Sequence, residues 1–135
     1  MQTTLGHIVF GVKAENLQFY RDLMEFLGWK TIVSVEQGFG VGDKAGVSLW
    51  FGTEVKDVAN DYDGPGVNHF AISAESQADV DATVAYLQER GIPPLFDTPR
   101  HRPDFGYTEE TTYYQVMFET PDRILVEVVY IGPKS

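Results

Sequence analysis

Two histidines and one glutamate have the residue types and the spacing of a metal site. His7 and His69 each lie in a short alternating apolar segment, 62 residues apart (69 − 7 = 62), and Glu127 lies inside the apolar run 124–130. Two neutral imidazoles and a carboxylate offer three donors to a divalent metal and leave coordination positions open, which is typical of catalytic sites. The set suits Fe(II), and Mn(II), Ni(II), Co(II) and Zn(II) are also compatible with it.

Ordinary hydrogen-bonded side chains are the alternative interpretation of these three residues. A single histidine on a half-buried strand is more often a hydrogen-bonded residue than a metal ligand. Glu127 is more informative, because burying a carboxylate without a partner costs several kcal/mol. We therefore expect a cation, a hydrogen-bond donor or a metal beside it.

The elements that must position these residues occur in the same order twice, and each predicted helix ends at a glycine, Gly28 or Gly91. Strands are predicted at residues 5–12, 29–35, 39–41, 47–51, 66–73, 95–97, 113–119 and 124–130, and helices at 14–27 and 77–90. An internal repeat of this kind is strong evidence of fold. We predict an α+β fold in which tandem βαβββ modules form a cupped mixed sheet with the helices on its outer face.

One domain is expected from the 135 residues, with module one at 1–52, a linker at 53–65 and module two at 66–135. Side chains alternate between the two faces of a strand, so each strand can be sorted into a helix-facing side and an opposite side. The bulky set predicted to face the helices is Ile8, Phe10, Val12, Val47, Leu49, Phe51, Phe70, Ile72, Tyr114, Val116, Phe118, Ile124, Val126 and Val128. The opposite face carries His7, Ser48, Trp50, His69, Tyr113, Gln115 and Glu127.

The composition excludes several classes of partner and of site. Ten Lys and Arg residues against twenty Asp and Glu give a formal charge of −10, which disfavours nucleic acid and anionic membranes. The chain has no cysteine, so disulfides, thiolate nucleophiles and cysteine-ligated zinc are excluded. The sequence shows no signal peptide and no apolar stretch long enough to span a bilayer. We therefore expect a cytoplasmic protein.

The chain resembles the vicinal oxygen chelate superfamily, which includes glyoxalase I, bleomycin-resistance proteins, fosfomycin-resistance thiol transferases and extradiol dioxygenases. The resemblance rests on LGHIVFGV at 5–12, LQFYRDLMEFLG at 17–28, VNHFAI at 67–72 and FETPDRILVEV at 118–128. It implies metal ligands on the first and last strands of each module, which are His7, Ser48, His69 and Glu127 by position. Three of these four can ligate a metal. Ser48 departs from the pattern of glyoxalase I, which puts lactoylglutathione lyase activity in doubt.

Residues 100–112 are predicted as a loop, either an ordinary solvated one or a lid over the site. In a lid, Arg100 and His101 would pair with a substrate anion, and Tyr107 or Tyr113 would donate a hydrogen bond to a substrate oxygen. The catalytic candidates are therefore Tyr113, His101 and Tyr107. The substrate-binding candidates are Trp50, Arg100, Gln115 and Ser48.

Two functions follow from these residues. The first is a metal-dependent enzyme, a lyase or isomerase, a dioxygenase or a thiol transferase, that binds two neighbouring substrate oxygens through the metal. The second is a metal-independent protein of the bleomycin-resistance type that sequesters a small molecule, for which a charge of −10 favours a cationic ligand. The resemblance implies a homodimer in either case.

Overall fold

The structure is a computed structural model that describes residues 1–106 and 108–134. The chain divides into two compact units, Met1–Ala59 and Asn60–Ser135, so the boundary falls inside the predicted linker. In the described residues each unit holds one four-stranded sheet and one α-helix, in the order βαβββ. The predicted α+β class and the tandem modules are therefore confirmed. No helix within the described ranges has the length and apolar character needed to cross a bilayer.

The first unit builds its sheet around an aromatic core. Its elements are β1 His7–Gly11, α1 Leu17–Phe26, β2 Lys30–Val35, β3 Gly38–Gly42 and β4 Ser48–Gly52. The sheet order is β1-β4-β3-β2, with β1 parallel to β4 and the other pairs antiparallel. Phe51 lies at the centre of the core, with ring centroids 4.7 Å from Phe39 and 5.1 Å from both Phe10 and Tyr20.

Helix α1 forms where its apolar residues recur at helical spacing. Leu17, Tyr20 and Met24 are buried, as their spacing predicts. Gly28 has φ +82° and ends the helix as expected. The α-helix begins at Leu17 rather than at Ala14, because residues 14–16 form a 3-10 turn before it.

The second unit repeats the arrangement and carries most of the candidate site. Its elements are β5 Phe70–Ser73, α2 Gln77–Glu89, β6 Leu95–His101, β7 Thr111–Glu119 and β8 Leu125–Pro133, in the sheet order β5-β8-β7-β6. The Ser76 hydroxyl caps α2 by accepting from the Asp79 backbone N–H at 3.1 Å. Helix α2 packs on β7 and β8, where Val116, Phe118, Val126 and Val128 are buried as predicted.

Strand β6 differs from the prediction. It runs to His101, and β7 begins at Thr111, so the predicted loop at 100–112 was wrong in its first two and its last two residues. The register passes from Leu95↔Met117 directly to Arg100↔Gln115, which leaves a bulge between them. Phe96 has φ +57°, in the left-handed region. The bulge interrupts the alternation of side chains, and this removes the period-two signal on which a strand prediction depends.

Tyr114 ties β7 to α2 by donating from its hydroxyl to Asp81 Oδ1 at 2.7 Å. Burial, reinforced by the hydrogen bond to the Asp81 carboxylate, raises the pKa of Tyr114 to about 12. A tyrosine in an unfolded chain titrates at about pH 10. The stabilisation that comes from the higher pKa of Tyr114 is therefore fully present below about pH 10 and is lost as the pH rises through about 12.

We therefore expect Tyr114→Phe to lower the free energy of unfolding by about 1 kcal/mol near pH 8. The difference from the parent should shrink between about pH 10 and about pH 12, because only the parent has a phenol to ionise there. Urea denaturation of both proteins at several pH values measures it. A difference that stays constant with pH would show that ionisation of the Tyr114 phenol does not affect stability.

Candidate functional site

The candidate site is centred on the buried carboxylate of Glu127. Glu127 is 3% exposed and lies on the face of β8 that points away from α2. Its Oε2 is 3.0 Å from His69 Nε2, and its Oε1 accepts a hydrogen bond from the Tyr113 hydroxyl at 2.5 Å. The structure therefore brings together three of the residues selected from the sequence.

Asn68 determines which nitrogen of the His69 ring carries a hydrogen. The Asn68 amide nitrogen donates to the backbone carbonyl of Tyr62 at 2.9 Å, so the oxygen of the amide is the atom that faces His69. That oxygen is 2.7 Å from His69 Nδ1. Because a carbonyl oxygen can only accept, Nδ1 must carry the hydrogen of this contact.

The contact between His69 and Glu127 then requires a positive centre. With Nδ1 protonated, a neutral His69 ring presents a lone pair at Nε2 towards the carboxylate oxygen 3.0 Å away. Two acceptors at this distance need either a second proton on the ring or a metal cation that both atoms bind. An imidazole Nε2 beside a carboxylate oxygen therefore fits a divalent metal, with the second Glu127 oxygen held by Tyr113.

The third predicted ligand, His7, belongs to the other unit, where it is exposed at the start of β1. Within the described residues no group of three or more His, Asp or Glu side chains is gathered closely enough to hold a metal. His69 and Glu127 are thus a pair of donors on the second unit.

A segment predicted as linker is fixed to the second unit by an arrangement that we call the Arg123 clasp. The Arg123 guanidinium pairs with Asp61 at 3.1 Å and Asp63 at 2.7 Å and stacks on the Tyr62 ring at 4.2 Å. The Tyr62 hydroxyl donates to Glu119, and this hydrogen bond, with burial, raises the pKa of Tyr62. The clasp immobilises the residue whose carbonyl orients Asn68.

Tyr62 also closes one end of the face that carries Glu127. It packs with Met117 and Leu125 in a buried cluster, against which Leu95 lies. Met117 is the register partner of Glu127 on β7. The Tyr62 side chain is therefore next to the candidate site, although no apolar periodicity around residue 62 marks it in the sequence.

Two further candidates lie in the adjacent row of the same face. Gln115 pairs in register with Val129 on one side and Arg100 on the other. Gln115 is 3% exposed. Arg100 is exposed. An amide and a guanidinium are thus placed beside the face of Glu127 and Tyr113.

His101 lies on the opposite face from Glu127. It pairs in register with Tyr114, and its ring centroid lies 4.5 Å from that of Tyr114 with the two planes tilted by 34°. Its Nδ1 is 2.5 Å from the Thr112 hydroxyl. It lines a cavity of about 780 Å³ together with Gln77, the first residue of α2. The structure therefore does not bring His101 to the site. Tyr107, the third catalytic candidate, lies outside the described residues.

The corresponding face of the first unit carries no carboxylate at the ligand position. His7 pairs in register with Ser48, and Val9 pairs with Trp50. The Trp50 indole donates to the Ser48 hydroxyl at 2.9 Å and lies over Gly40, where a Cβ atom would come within 2.4 Å of the ring. Only glycine allows this close approach of the indole.

The strand register identifies the position in module one that is equivalent to Glu127. Val9 pairs with Trp50, and Ala71, 62 residues after Val9, pairs with Glu127. Trp50 is therefore the equivalent of Glu127, and Ser48, two residues earlier, is the equivalent of Leu125. An indole does not ligate metals, so the structural repeat points to ligands in unequal numbers on the two modules.

The fold and the arrangement of this face can now be compared with known proteins. The family model described as Glyoxalase/Bleomycin resistance protein/Dioxygenase superfamily matches residues 4–128. The chain belongs to this superfamily. No protein among those with curated descriptions matches it significantly.

Solved structures of superfamily proteins share the fold. A candidate glyoxalase from Bacillus halodurans is 28% identical with a TM-score of 0.78, and 96% of each chain is covered. Lactoylglutathione lyase from Agrobacterium tumefaciens is 17% identical with a TM-score of 0.66, covering 96% of this chain and 95% of that one. The oxidase ChaP-H2 is 19% identical with a TM-score of 0.65, covering 100% and 98%. At identities below 25% these last two show a common fold.

Proposed function

We propose that the protein is a metal-dependent enzyme acting on a small organic substrate. In this proposal His69, Glu127 and His7 hold one divalent metal ion. The observation that carries it is the pair of acceptor atoms, His69 Nε2 and Glu127 Oε2, which face each other at 3.0 Å while Asn68 takes up the other ring nitrogen. A divalent metal bound there supplies a Lewis acid with open positions for two neighbouring substrate oxygens.

The residues around the pair have complementary roles in the proposal. Glu127 contributes the negative charge, and its burial excludes water from the carboxylate. Tyr113 orients Glu127 in the free protein through its hydrogen bond. When substrate binds, the Tyr113 hydroxyl can donate this hydrogen bond to a substrate oxygen instead. Gln115 supplies an amide for a neutral polar group, and Arg100 supplies positive charge for a substrate anion.

His7 is proposed to reach the metal from a first module, either of the same chain or of a second copy in a homodimer. The reaction in this proposal is a lyase or isomerase reaction, a dioxygenation or a thiol transfer. The related lyase and oxidase structures share the fold with this chain.

The metal content of the purified protein tests the proposal. We expect about one metal ion per chain after purification without chelators or after addition of Fe(II), Mn(II), Ni(II), Co(II) or Zn(II) at micromolar concentration. His69→Ala should lose the bound metal. The molar mass of the parent in solution should be twice 15.1 kDa if the homodimer forms. No metal in the parent at micromolar concentration would refute the proposal, and a mass of 15.1 kDa would refute the homodimer.

A sequestering protein is the second candidate, and one observation favours it. Val9 is 67% exposed beside the half-buried Trp50 indole, which provides an apolar and aromatic surface on the first unit. With a formal charge of −10, such a surface suits cationic aromatic molecules. A rise in melting temperature with an aromatic cation in the presence of EDTA would favour this function over the enzyme.

A further inference from the structure

We propose that Asn68 is a positioning residue that holds the His69 ring with Nε2 directed at the ligand position. The inference rests on the proposed metal-dependent function and identifies a residue outside the metal-binding set. Its basis is the pair of hydrogen bonds made by one amide, 2.9 Å to the Tyr62 carbonyl and 2.7 Å to His69 Nδ1.

The position of His69 in the chain explains why it needs such a residue. His69 precedes β5, which begins at Phe70, so the strand pairings do not include it. Its side chain is 36% exposed, so packing surrounds it only in part. The ring is therefore oriented by its two polar neighbours, Asn68 at Nδ1 and Glu127 at Nε2.

The amide of Asn68 is itself anchored. Its nitrogen donates to a carbonyl of Tyr62, a residue that is 7% exposed and held by the Arg123 clasp. A rotation of the amide by half a turn would place its oxygen against the Tyr62 carbonyl oxygen, and two acceptors cannot form a hydrogen bond. The amide oxygen is thus fixed towards Nδ1, which keeps the hydrogen on Nδ1 and leaves Nε2 as the donor atom for a metal.

Metal affinity of matched variants tests the inference. Zn(II) and Ni(II) are titrated against a chelator of known affinity in the parent, Asn68→Ala and Asn68→Asp. We expect Asn68→Ala to bind about 10- to 100-fold more weakly, the loss that follows removal of a partner that orients a metal ligand. Asn68→Asp keeps an oxygen acceptor for Nδ1–H, so its affinity should return to within about threefold of the parent.

The aspartate variant separates positioning from a purely structural role. An aspartate cannot donate to the Tyr62 carbonyl. If Asn68 mattered only as a tether for this turn, Asn68→Asp would therefore bind as weakly as Asn68→Ala. Gln18→Ala is the matched control, because the exposed Gln18 amide donates to Asp22 at 2.8 Å within α1 of the first unit, outside the Arg123 clasp. Its affinity should equal that of the parent.

A measurement on metal-free protein provides a second readout. The chain has three histidines, so ¹⁵N-histidine labelling gives few ring signals, and His69→Ala assigns those of His69. We expect a slowly exchanging His69 Nδ1–H in the parent and in Asn68→Asp, and its loss in Asn68→Ala.

The outcomes distinguish this inference from the proposed function. Unchanged metal affinity in Asn68→Ala, equal weakness of the two variants, or an Nδ1–H signal that does not depend on Asn68 would overturn it. A parent that binds neither metal but shows the Asn68-dependent signal would refute the metal-dependent function while supporting the contact between Asn68 and the ring.

Discussion

Glu127→Gln should lose metal binding by about 1,000-fold while the protein remains folded. Zinc binding by proteins amounts to about 10–16 kcal/mol over the ligand set, and removal of one anionic ligand of three takes away about 4 kcal/mol, which is about 1,000-fold in affinity. Titration of Zn(II) and Ni(II) against a chelator measures the loss.

The stability of this variant should change little, because glutamine replaces both contacts of Glu127. Its oxygen can accept from the Tyr113 hydroxyl, and its amide nitrogen can donate to His69 Nε2. We expect the free energy of unfolding in EDTA to stay within about 1 kcal/mol of the parent.

Glu119→Gln is the matched control, since Glu119 lies on neighbouring β7 and bonds to Tyr62 rather than to His69. It should bind metal like the parent, because glutamine keeps an oxygen that can accept from the Tyr62 hydroxyl. Equal metal affinity in Glu127→Gln and the parent would remove Glu127 from the metal site.

Phe118→Ala should lower the free energy of unfolding more than Tyr114→Phe, Glu127→Gln or Phe96→Ala. Phe118 has no exposed surface and lies on β7 opposite Val126, on the side of the sheet that packs on α2. Truncation of a buried phenylalanine costs about 3–5 kcal/mol, because apolar contacts are lost and a cavity remains. For a chain of this size the melting temperature should fall by about 10–15 °C.

Phe96→Ala is the comparison for this prediction, because Phe96 lies in the same unit but is 55% exposed. It should change the free energy of unfolding by less than about 1 kcal/mol. Urea denaturation and calorimetry in EDTA compare the two variants without a contribution from bound metal. Equal losses in both would show that the helix-facing side of β7 is not the core of the second unit.

The fold could be predicted because the spacing of apolar residues and the repeated order of elements indicate the same strands and helices along most of the chain. The helical stripe of α1, the glycines at 28 and 91 and the alternation in β4, β7 and β8 are local features, and the structure has each of them. Strand β6 escaped prediction beyond residue 97, because its bulge breaks the alternation on which period-based reasoning depends. The sequence contains no comparable signal for a strand that changes register within itself.

The site was only partly accessible to the same reasoning. Alternation places Tyr113, Gln115 and Glu127 on one face, and the structure agrees. His101 was predicted in a loop, where alternation assigns no face, and the bulge in β6 places it on the face opposite Glu127. Tyr62 comes from the predicted linker, where no period applies. Asn68 was predicted inside the strand at 66–73, but β5 begins only at Phe70. The asparagine directly before His69 was a signal that could have been noticed.

The indole of Trp50 gives the first unit an intrinsic fluorescent probe. The chain has two tryptophans, Trp29 and Trp50, and Trp50 is half-buried over a glycine strand with its ring nitrogen on Ser48. Any molecule or protein surface that covers this face displaces water from the indole. The wavelength and intensity of indole fluorescence depend on the polarity of its surroundings, so both should change. With Trp29 replaced by phenylalanine, the natural fluorescence of the chain becomes a label-free reporter of what arrives at the face opposite the helix.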